Sequence, residues 1–247
     1  MPAKGLVIKQ FKVYVGGYDL SANHQRARVS ITRKEVQAPS SGLLAMPRHA
    51  GFLDLSLDHS GWWEAGTGKP DTVLAGILGS ADQNLTLALK TGAVGEPVYF
   101  TRTTALRYEL GGRIGEMVGF SGGAFAQGDA IVRGYILKTG AITQDGNGTA
   151  YQLGAVAAGK YLYGAAHCFA TTGSGDRALT LKIQSCAAEN FSAGVSDRIT
   201  FPDFTTSVGA QWATPVTGPI TDTWWRANWT SVGLVENFTA LVVMGIR

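Results

Sequence analysis

The sequence predicts a mostly β protein made of two β domains, with one short helix. Three observations predict this class. Val, Ile, Thr and aromatic residues recur in short runs that Gly, Asn and Asp interrupt, as in strands joined by turns. The 33 glycines, 45% apolar residues and 16% charged residues are typical of a globular, turn-rich chain. With 247 residues, the chain can bury the core of one large or two ordinary domains.

The first half begins with strands that flank a long polar loop. A strand at 11–15 and a turn at Gly16 and Gly17 precede segments 29–32 and 52–59, which alternate apolar and polar residues as half-buried strands do. Between them we predict a loop at 34–50. A connection of about 17 residues is uncommon inside a compact domain and usually serves a function or contacts a partner. Its basic residues, serines and prolines favour a subunit contact over a core.

A short amphipathic helix is predicted to begin at Pro70, because proline suits the first helical turn and Asp71 follows it. The apolar spacing continues to position 78, and Gly79 is a stop signal. Further strands are predicted at 85–89, 98–110, 116–125 and 130–137, which complete a β-sandwich or barrel domain.

The polar, glycine-rich stretch 138–150 predicts a linker between domains. We therefore assign 1–137 to the first domain and 151–247 to a C-terminal β-sandwich, with strands at 152–157, 161–170, 178–184, 197–201, 210–213, 223–230 and 238–246. Segment 187–191 is the one candidate helix there. Both halves place an alternating strand early and an aromatic strand late. The C-terminal domain is accordingly a degenerate duplicate of the first domain or an appended decoration.

Charge and cysteine content limit the classes of protein to which the chain can belong. The net charge of +3 is too small to predict general attraction to nucleic acid. The start of the chain lacks a secretory signal, and no run of about 18 apolar residues occurs, so we expect synthesis in a cytoplasm and no membrane insertion. In that reducing compartment, Cys168 and Cys186 are expected to be two buried thiols.

We predict no catalytic residue, cofactor or metal. Segment 61–70 departs from a phosphate-binding loop, which needs glycine where Trp63 stands and a hydroxyl where Pro70 stands. His167 and Cys168 point to opposite faces of a strand and are more simply core residues. Asp54 and Asp58 share a strand face about 13 Å apart, too far for paired carboxylate catalysis.

The tryptophan-rich strand of the C-terminal half offers the one candidate binding platform. Trp225 and Trp229 share a face under strand alternation. Core packing is favoured for them, and stacking on a sugar ring is the alternative.

The order of elements in the first half and three segments, 17–21 (GYDLS), 59–66 (HSGWWEAG) and 115–120 (GEMVGF), resemble the major tail tube proteins of long-tailed, siphovirus-type bacteriophages. The resemblance covers residues 11–137. The second half, which includes 220–226 (ITDTWWR), looks like β domains attached to phage virion proteins.

The resemblance implies a structural protein of the virion tail, whose subunits form rings that stack into a tube through which DNA passes during ejection. It implies ring contacts at Arg33, Lys34, Glu35, Arg48 and His49, and a lumen-facing strand that carries Asp54 and Asp58. Expected partners are identical subunits, in trimeric or hexameric rings, other tail proteins and, transiently and without specificity, DNA. The alternative is a capsid decoration or carbohydrate-binding adhesion protein, with Trp225 and Trp229 as the platform.

Overall fold

The computed structural model describes residues 10–37, 48–80, 82–126, 131–172, 178–205, 208–232 and 237–247. Among these residues the fold is mostly β, with 60% in strands and 5% helical. It contains one α-helix, a nearly closed, barrel-like sheet and a second sheet. The predicted fold class is therefore confirmed.

The first half contributes one helix and eight strands in its described residues. They are β1 (Lys12–Val15), β2 (Tyr18–Asp19), β3 (His24–Gln37), β4 (Arg48–Trp62), α1 (Pro70–Gly76), β5 (Gln83–Ala88), β6 (Pro97–Gly111), β7 (Gly119–Ala126) and β8 (Val132–Ile142). A 3-10 turn at Ser21–Asn23 leads into β3.

The second half contributes strands alone in the ranges that the structure describes. They are β9 (Gly146–Asn147), β10 (Tyr151–Gln152), β11 (Tyr161–Thr172), β12 (Ala178–Cys186), β13 (Ser196–Thr200), β14 (Gly209–Trp212), β15 (Val216–Thr217), β16 (Trp224–Val232) and β17 (Asn237–Ile246). The candidate helix at 187–191 is wrong, since this segment forms bends and a turn.

Within the described residues, twelve strands make the large sheet, in the order β14-β11-β17-β8-β6-β5-β1-β2, and β15 pairs with β11. A branch leaves it at β6 and continues through β7 and β4 to β3. The second sheet has the order β10-β16-β12-β13, with β9 beside β16. All strand pairs in both sheets are antiparallel.

Strand β17 separates two cores. Phe238, Val242 and Met244 pack with the second sheet in one cluster, whereas Leu241 and Val243 pack inside the barrel with Phe100. Successive side chains of a strand point to opposite faces, so a strand buried on both faces must be apolar at nearly every position. The continuous apolar run at this point of the sequence therefore has a direct structural cause.

His167 of β11 joins the two ends of the barrel-like sheet. Its Nδ1 lies 2.7 Å from the carbonyl oxygen of Gly16, in the turn between β1 and β2, and its Nε2 lies 2.9 Å from the hydroxyl of Thr86 on β5. A carbonyl can only accept, so Nδ1 carries the proton and Nε2 accepts from Thr86. Burial lowers the pKa of His167 to about 4, which keeps this neutral tautomer in place at neutral pH.

The neighbouring thiol lies on the other face of β11. Cys168 is fully buried in the core against the second sheet, and burial raises its pKa to about 11. Cys186 is also buried, and both cysteines are free thiols, as predicted.

The predicted helix is confirmed as α1. Pro70 occupies its first turn, and Val73 and Leu74 are buried against the core of the first half. Asp71 accepts a hydrogen bond of 2.8 Å from the hydroxyl of Tyr108 on β6, which fixes the helix across the sheet.

The predicted division between domains needs correction. The boundary at residue 137 falls inside β8, and the predicted linker begins with residues that pair with β17. Because β17 also pairs with β11, the large sheet contains strands from both predicted domains. A glycine-rich stretch can continue a strand when a partner strand supplies the hydrogen bonds, and Gly140 does so opposite Ala240.

The predicted loop at 34–50 is shorter than expected. Strand β3 continues to Gln37 and β4 begins at Arg48, with Gln37 opposite Arg48 in the register. Strands β3 and β4 form a two-stranded ribbon that extends past β7 and pairs only with itself in the described residues. Its end has a polar sequence without the alternation that predicts a strand. Positions 38–47 of the predicted loop lie outside the described residues.

Replacing His167 with Leu should lower the free energy of unfolding by about 2 to 5 kcal/mol, because the Gly16 carbonyl and the Thr86 hydroxyl lose their buried partner. Urea denaturation measures this change. In the double variant H167L/T86V one orphaned group is removed, so part of the loss should be recovered. A single variant as stable as the parent would contradict the bridging role of His167.

Candidate functional site

Strands β3, β4, β7 and β6 lie side by side and present a polar face on the side opposite α1. Two cross-strand rows make up this face. One row contains Arg28, Asp58, Gly123 and Arg107, and the next contains Arg26, Ser60, Ser121 and Glu109. The alternating sequences of β3 and β4 predict which of their residues share this face. The alignment with β6 and β7 is a long-range property that the sequence did not reveal.

Gly123 lets an ion pair form across a whole strand. The Arg107 guanidinium passes over Gly123 and donates a hydrogen bond of 2.9 Å to Asp58 Oδ1, two strands away. A Cβ atom at Gly123 would lie 3.2 Å from Arg107 Nε and 3.4 Å from Asp58 Oδ1. The missing side chain thus provides the space that the ion pair occupies.

The remaining arginines of this face are not neutralised. Arg26 and Arg28 are exposed, and neither has an ion-pair partner among the residues that the structure describes. They line a cleft of about 270 Å³ together with Asp58, His59, Ser60, Arg107 and Ser121. We call this cleft the arginine cleft.

A buried histidine pair lies on the opposite side of the same strands. His24 Nδ1 lies 2.7 Å from the Leu20 carbonyl oxygen, and His24 Nε2 lies 2.8 Å from His59 Nδ1. The carbonyl must accept from His24, so His24 Nε2 is the acceptor for a proton donated by His59 Nδ1. This directional chain ties the start of β3 to β4, and it requires that Nε2 of His24 is unprotonated.

Burial favours the neutral rings. Desolvation lowers the pKa of His59 to about 3, with further lowering by His24 and Arg107. Desolvation also lowers the pKa of His24, although its hydrogen bond to Leu20 opposes the shift. Phe120 packs edge-on against the His24 ring and completes the apolar surroundings.

The glycine beside Gly123 provides space for this pair. A Cβ atom at Gly122 would lie 2.6 Å from both Cε1 and Nε2 of His59, which is closer than atoms can pack. Gly122 and Gly123 therefore make room on opposite faces of β7, one for a buried ring and one for a surface ion pair. The sequence alone does not reveal these two close approaches, because both depend on the register of β7 with its neighbours.

An apolar tip projects where β6 turns into β7. Leu110, Ile114, Met117 and Val118 are exposed there, Ile114 completely and Met117 to 64%. The backbone N–H of Trp63 donates to the Val118 carbonyl at 2.9 Å, so the exposed indoles of Trp62 and Trp63 adjoin the same turn. Monomeric proteins seldom expose so many large apolar side chains together, and such patches mark interaction sites.

The predicted contact residues lie on the ribbon formed by β3 and β4. Arg33 is exposed and stands opposite Leu53, and Glu35 and His49 are strand residues beyond a bulge between Arg33 and Glu35. Lys34 falls within this bulge, and Arg48 begins β4. These residues belong to strands and not to a loop, so they occupy both strands of one narrow ribbon.

The two predicted lumen residues, Asp54 and Asp58, both lie on β4. Asp58 is half-exposed on the polar face and is paired with Arg107. Asp54 stands opposite Thr32 farther along the same strand.

The tryptophans of β16 are packed. Trp225 is fully buried, and its Nε1 donates a 2.8 Å hydrogen bond to the Gly154 carbonyl, which leaves no face of its indole open to a sugar. Trp229 is partly buried against the same core, donates to the Gln144 carbonyl at 3.0 Å, and has Lys138 Nζ 4.6 Å from its ring centroid. These contacts do not favour the sugar platform considered for Trp225 and Trp229.

Neither a metal cluster nor a membrane-spanning helix is present among the described residues. No group of three or more His, Cys, Asp or Glu side chains there is arranged to hold a metal ion. No helix among them has the length and apolar character needed to cross a membrane.

Comparison with known proteins identifies no family. No family model matches the chain, and no curated protein matches it significantly in sequence.

Stability should decrease in acid through His59. Its pKa is about 3 in the folded chain against 6.5 in the unfolded chain. The contribution of the neutral ring is therefore complete above pH 6.5 and is lost as the pH falls towards 3. Urea denaturation of the variant H59Q should show a pH dependence weaker by about 1.4 kcal/mol per pH unit in this window. Parallel curves for parent and variant would contradict a neutral, buried His59.

The two adjacent glycines provide a matched pair of substitutions. Gly122→Ala should destabilise the fold by about 1 to 3 kcal/mol, because the buried His59 ring cannot move away. Gly123→Ala should cost less, because the half-exposed Arg107 side chain can shift. Thermal unfolding of the two variants measures the difference, and equal losses would contradict it.

Proposed function

We propose that the protein is a structural subunit that assembles with identical copies into stacked rings, forming the tail tube of a long-tailed bacteriophage. DNA would pass through this tube during ejection. The observation that supports the proposal is that the β3–β4 ribbon and the exposed apolar tip lie at opposite ends of one long strand. This position complements the resemblance of residues 11–137 to tail tube proteins.

The strand is β4, which runs from the ribbon end at Arg48 to the apolar tip at Trp62. Fifteen residues in extended conformation span roughly 46 Å. Contacts between unlike ends of a molecule are heterologous, and repeating them extends an assembly along one direction. Such a contact between the ribbon of one copy and the apolar tip of the next would stack rings. Arg33, Lys34, Glu35, Arg48 and His49 would then lie at the ring contact.

Lateral contacts within a ring have a second source. Among the described residues β3 pairs only with β4, so its outer edge is open. An open strand edge readily accepts a strand from another chain. Ile31, which is 48% exposed on β3, adds an apolar anchor beside that edge. Edge-to-edge pairing of this kind would join the sheets of three or six copies into one surface around a lumen.

The polar face is suited to the lumen side of such a ring. Its charges alternate in sign, with Arg107 paired to Asp58 and Ser121 donating to Glu109 at 2.9 Å. Three arginines and two carboxylates give the two rows a net charge of only +1, and the excess lies at Arg26 and Arg28. Such a face attracts DNA more weakly than a uniformly basic surface would. Asp54 and Asp58 would lie on this lumen-facing strand, and contact with passing DNA would be transient and non-specific.

The proposal also includes a virion tail location, contacts with other tail proteins, and no enzymatic activity or cofactor. The competing role is a capsid decoration or carbohydrate-binding adhesion protein. The burial of Trp225 and the position of Lys138 over Trp229 do not favour its carbohydrate platform.

Negative-stain electron microscopy of the purified protein tests the proposal directly. Hollow rods or annuli about 100 Å wide are expected from rings of three to six copies. A protein that stays monomeric at high concentration, by analytical ultracentrifugation, would overturn the proposal.

The double variant I114S/M117S should fold normally, because both side chains project into solvent, and it should fail to form long rods. Val195→Ser is the matched control, since Val195 is an exposed apolar residue outside the tip. Rod length in electron micrographs and the thermal unfolding midpoint are the two measurements. Rods of normal length from I114S/M117S would exclude the tip from the stacking contact.

A further inference from the structure

We propose that the arginine cleft is a binding site for an oxyanion of the phosphate type. The inference goes beyond the tail-tube role and does not depend on it. It follows from the arrangement of Arg26, Arg28 and Ser60 around an open cleft on the face of β3 and β4.

The charges of the cleft favour an anion. Asp58 is paired with Arg107, whereas Glu109 accepts a hydrogen bond from the neutral hydroxyl of Ser121 and keeps its charge. Three arginines against two carboxylates leave a net charge of +1 among these side chains. Arg26 and Arg28 have no ion-pair partner in the described residues, so the positive excess lies with them.

The geometry brings those two guanidinium groups to the same ligand. Arg26 and Arg28 are two positions apart on one strand and so point to the same side of the sheet. Ser60 stands opposite Arg26 and adds a hydroxyl donor beside it. Guanidinium groups bind phosphate and carboxylate oxygens through paired, charge-assisted hydrogen bonds.

The size of the cleft fits the same ligand class. About 270 Å³ is the space of roughly nine water molecules, so an oxyanion fits with part of its hydration shell. The His59 ring points to the opposite, buried face of β4, where it contacts His24. The ring therefore offers the ligand no charge, and recognition rests on the arginines and on Ser60.

Two ligands carry oxyanions of this type: free inorganic phosphate and a single-stranded nucleic acid with its phosphodiester groups. The first experiment titrates the full-length protein with inorganic phosphate by NMR, and the second titrates it with a short oligothymidylate by fluorescence anisotropy. Saturation by phosphate below about 1 mM assigns the free ion. Saturation by the oligonucleotide alone assigns the phosphodiester. The absence of both would overturn the inference.

Paired variants make the test specific. R26Q/R28Q should weaken binding at least about tenfold and, for the oligonucleotide, lower the slope of log K against log salt by about 1.4. Arg133→Gln is the control, since Arg133 is an exposed arginine on β8, outside the cleft. An equal loss in Arg133→Gln would mean diffuse charge attraction and would overturn the site.

A second variant has the opposite expected sign. Asp58→Asn removes the carboxylate of the cleft and releases Arg107 from its ion pair, so oxyanion affinity should rise severalfold. A purely structural role for these residues gives no reason for tighter binding. Weaker binding in Asp58→Asn, with an unchanged unfolding midpoint, would contradict the proposed charge balance.

Discussion

Burial of β11 and β17 on both faces is the constraint on which the rest of the structure depends. One side of these strands closes the barrel interior around Phe100, Leu241 and Val243, and the other side supports the second sheet through Leu162 and Val242. The barrel and the sandwich thus share a wall, and neither core is complete without it. His167 adds hydrogen bonds from this wall to Gly16, in the turn between β1 and β2 at the other end of the large sheet, and to Thr86 on nearby β5.

The branch β6-β7-β4-β3 does not take part in this wall, and one of its sides faces solvent. Its inner side packs on α1 through Leu57 and Phe120, and its outer side is polar. Within the branch, β7 contains two adjacent glycines that admit the His59 ring on one side and the Arg107 to Asp58 ion pair on the other. Because β7 has no side chains at these two positions, side chains from strands that are not adjacent in the sheet can reach across it.

The sequence predicted most strands and α1 because periodicity and turn residues are local properties. It missed the shared sheet because pairing of β8 with β17 joins residues about 100 positions apart, and nothing local encodes that partnership. For the site, alternation places Arg26 and Arg28 on one face, but the approach of Arg107 depends on register through Gly123. The sequence predicted a loop at the end of the ribbon, because strands that pack on no core lack the apolar face by which a strand is recognised.

The position of β17 between β8 and β11 also bears on folding. Residues 237–246 fill the centre of the large sheet, although their partners on β8 and β11 precede them by about 65 to 110 positions in the chain. Until β17 docks, β8 and β11 each lack a neighbour, so the shared wall is open and both cores are incomplete. Pairing over such long separations slows folding, because the entropy of loop closure is lost before the contacts form.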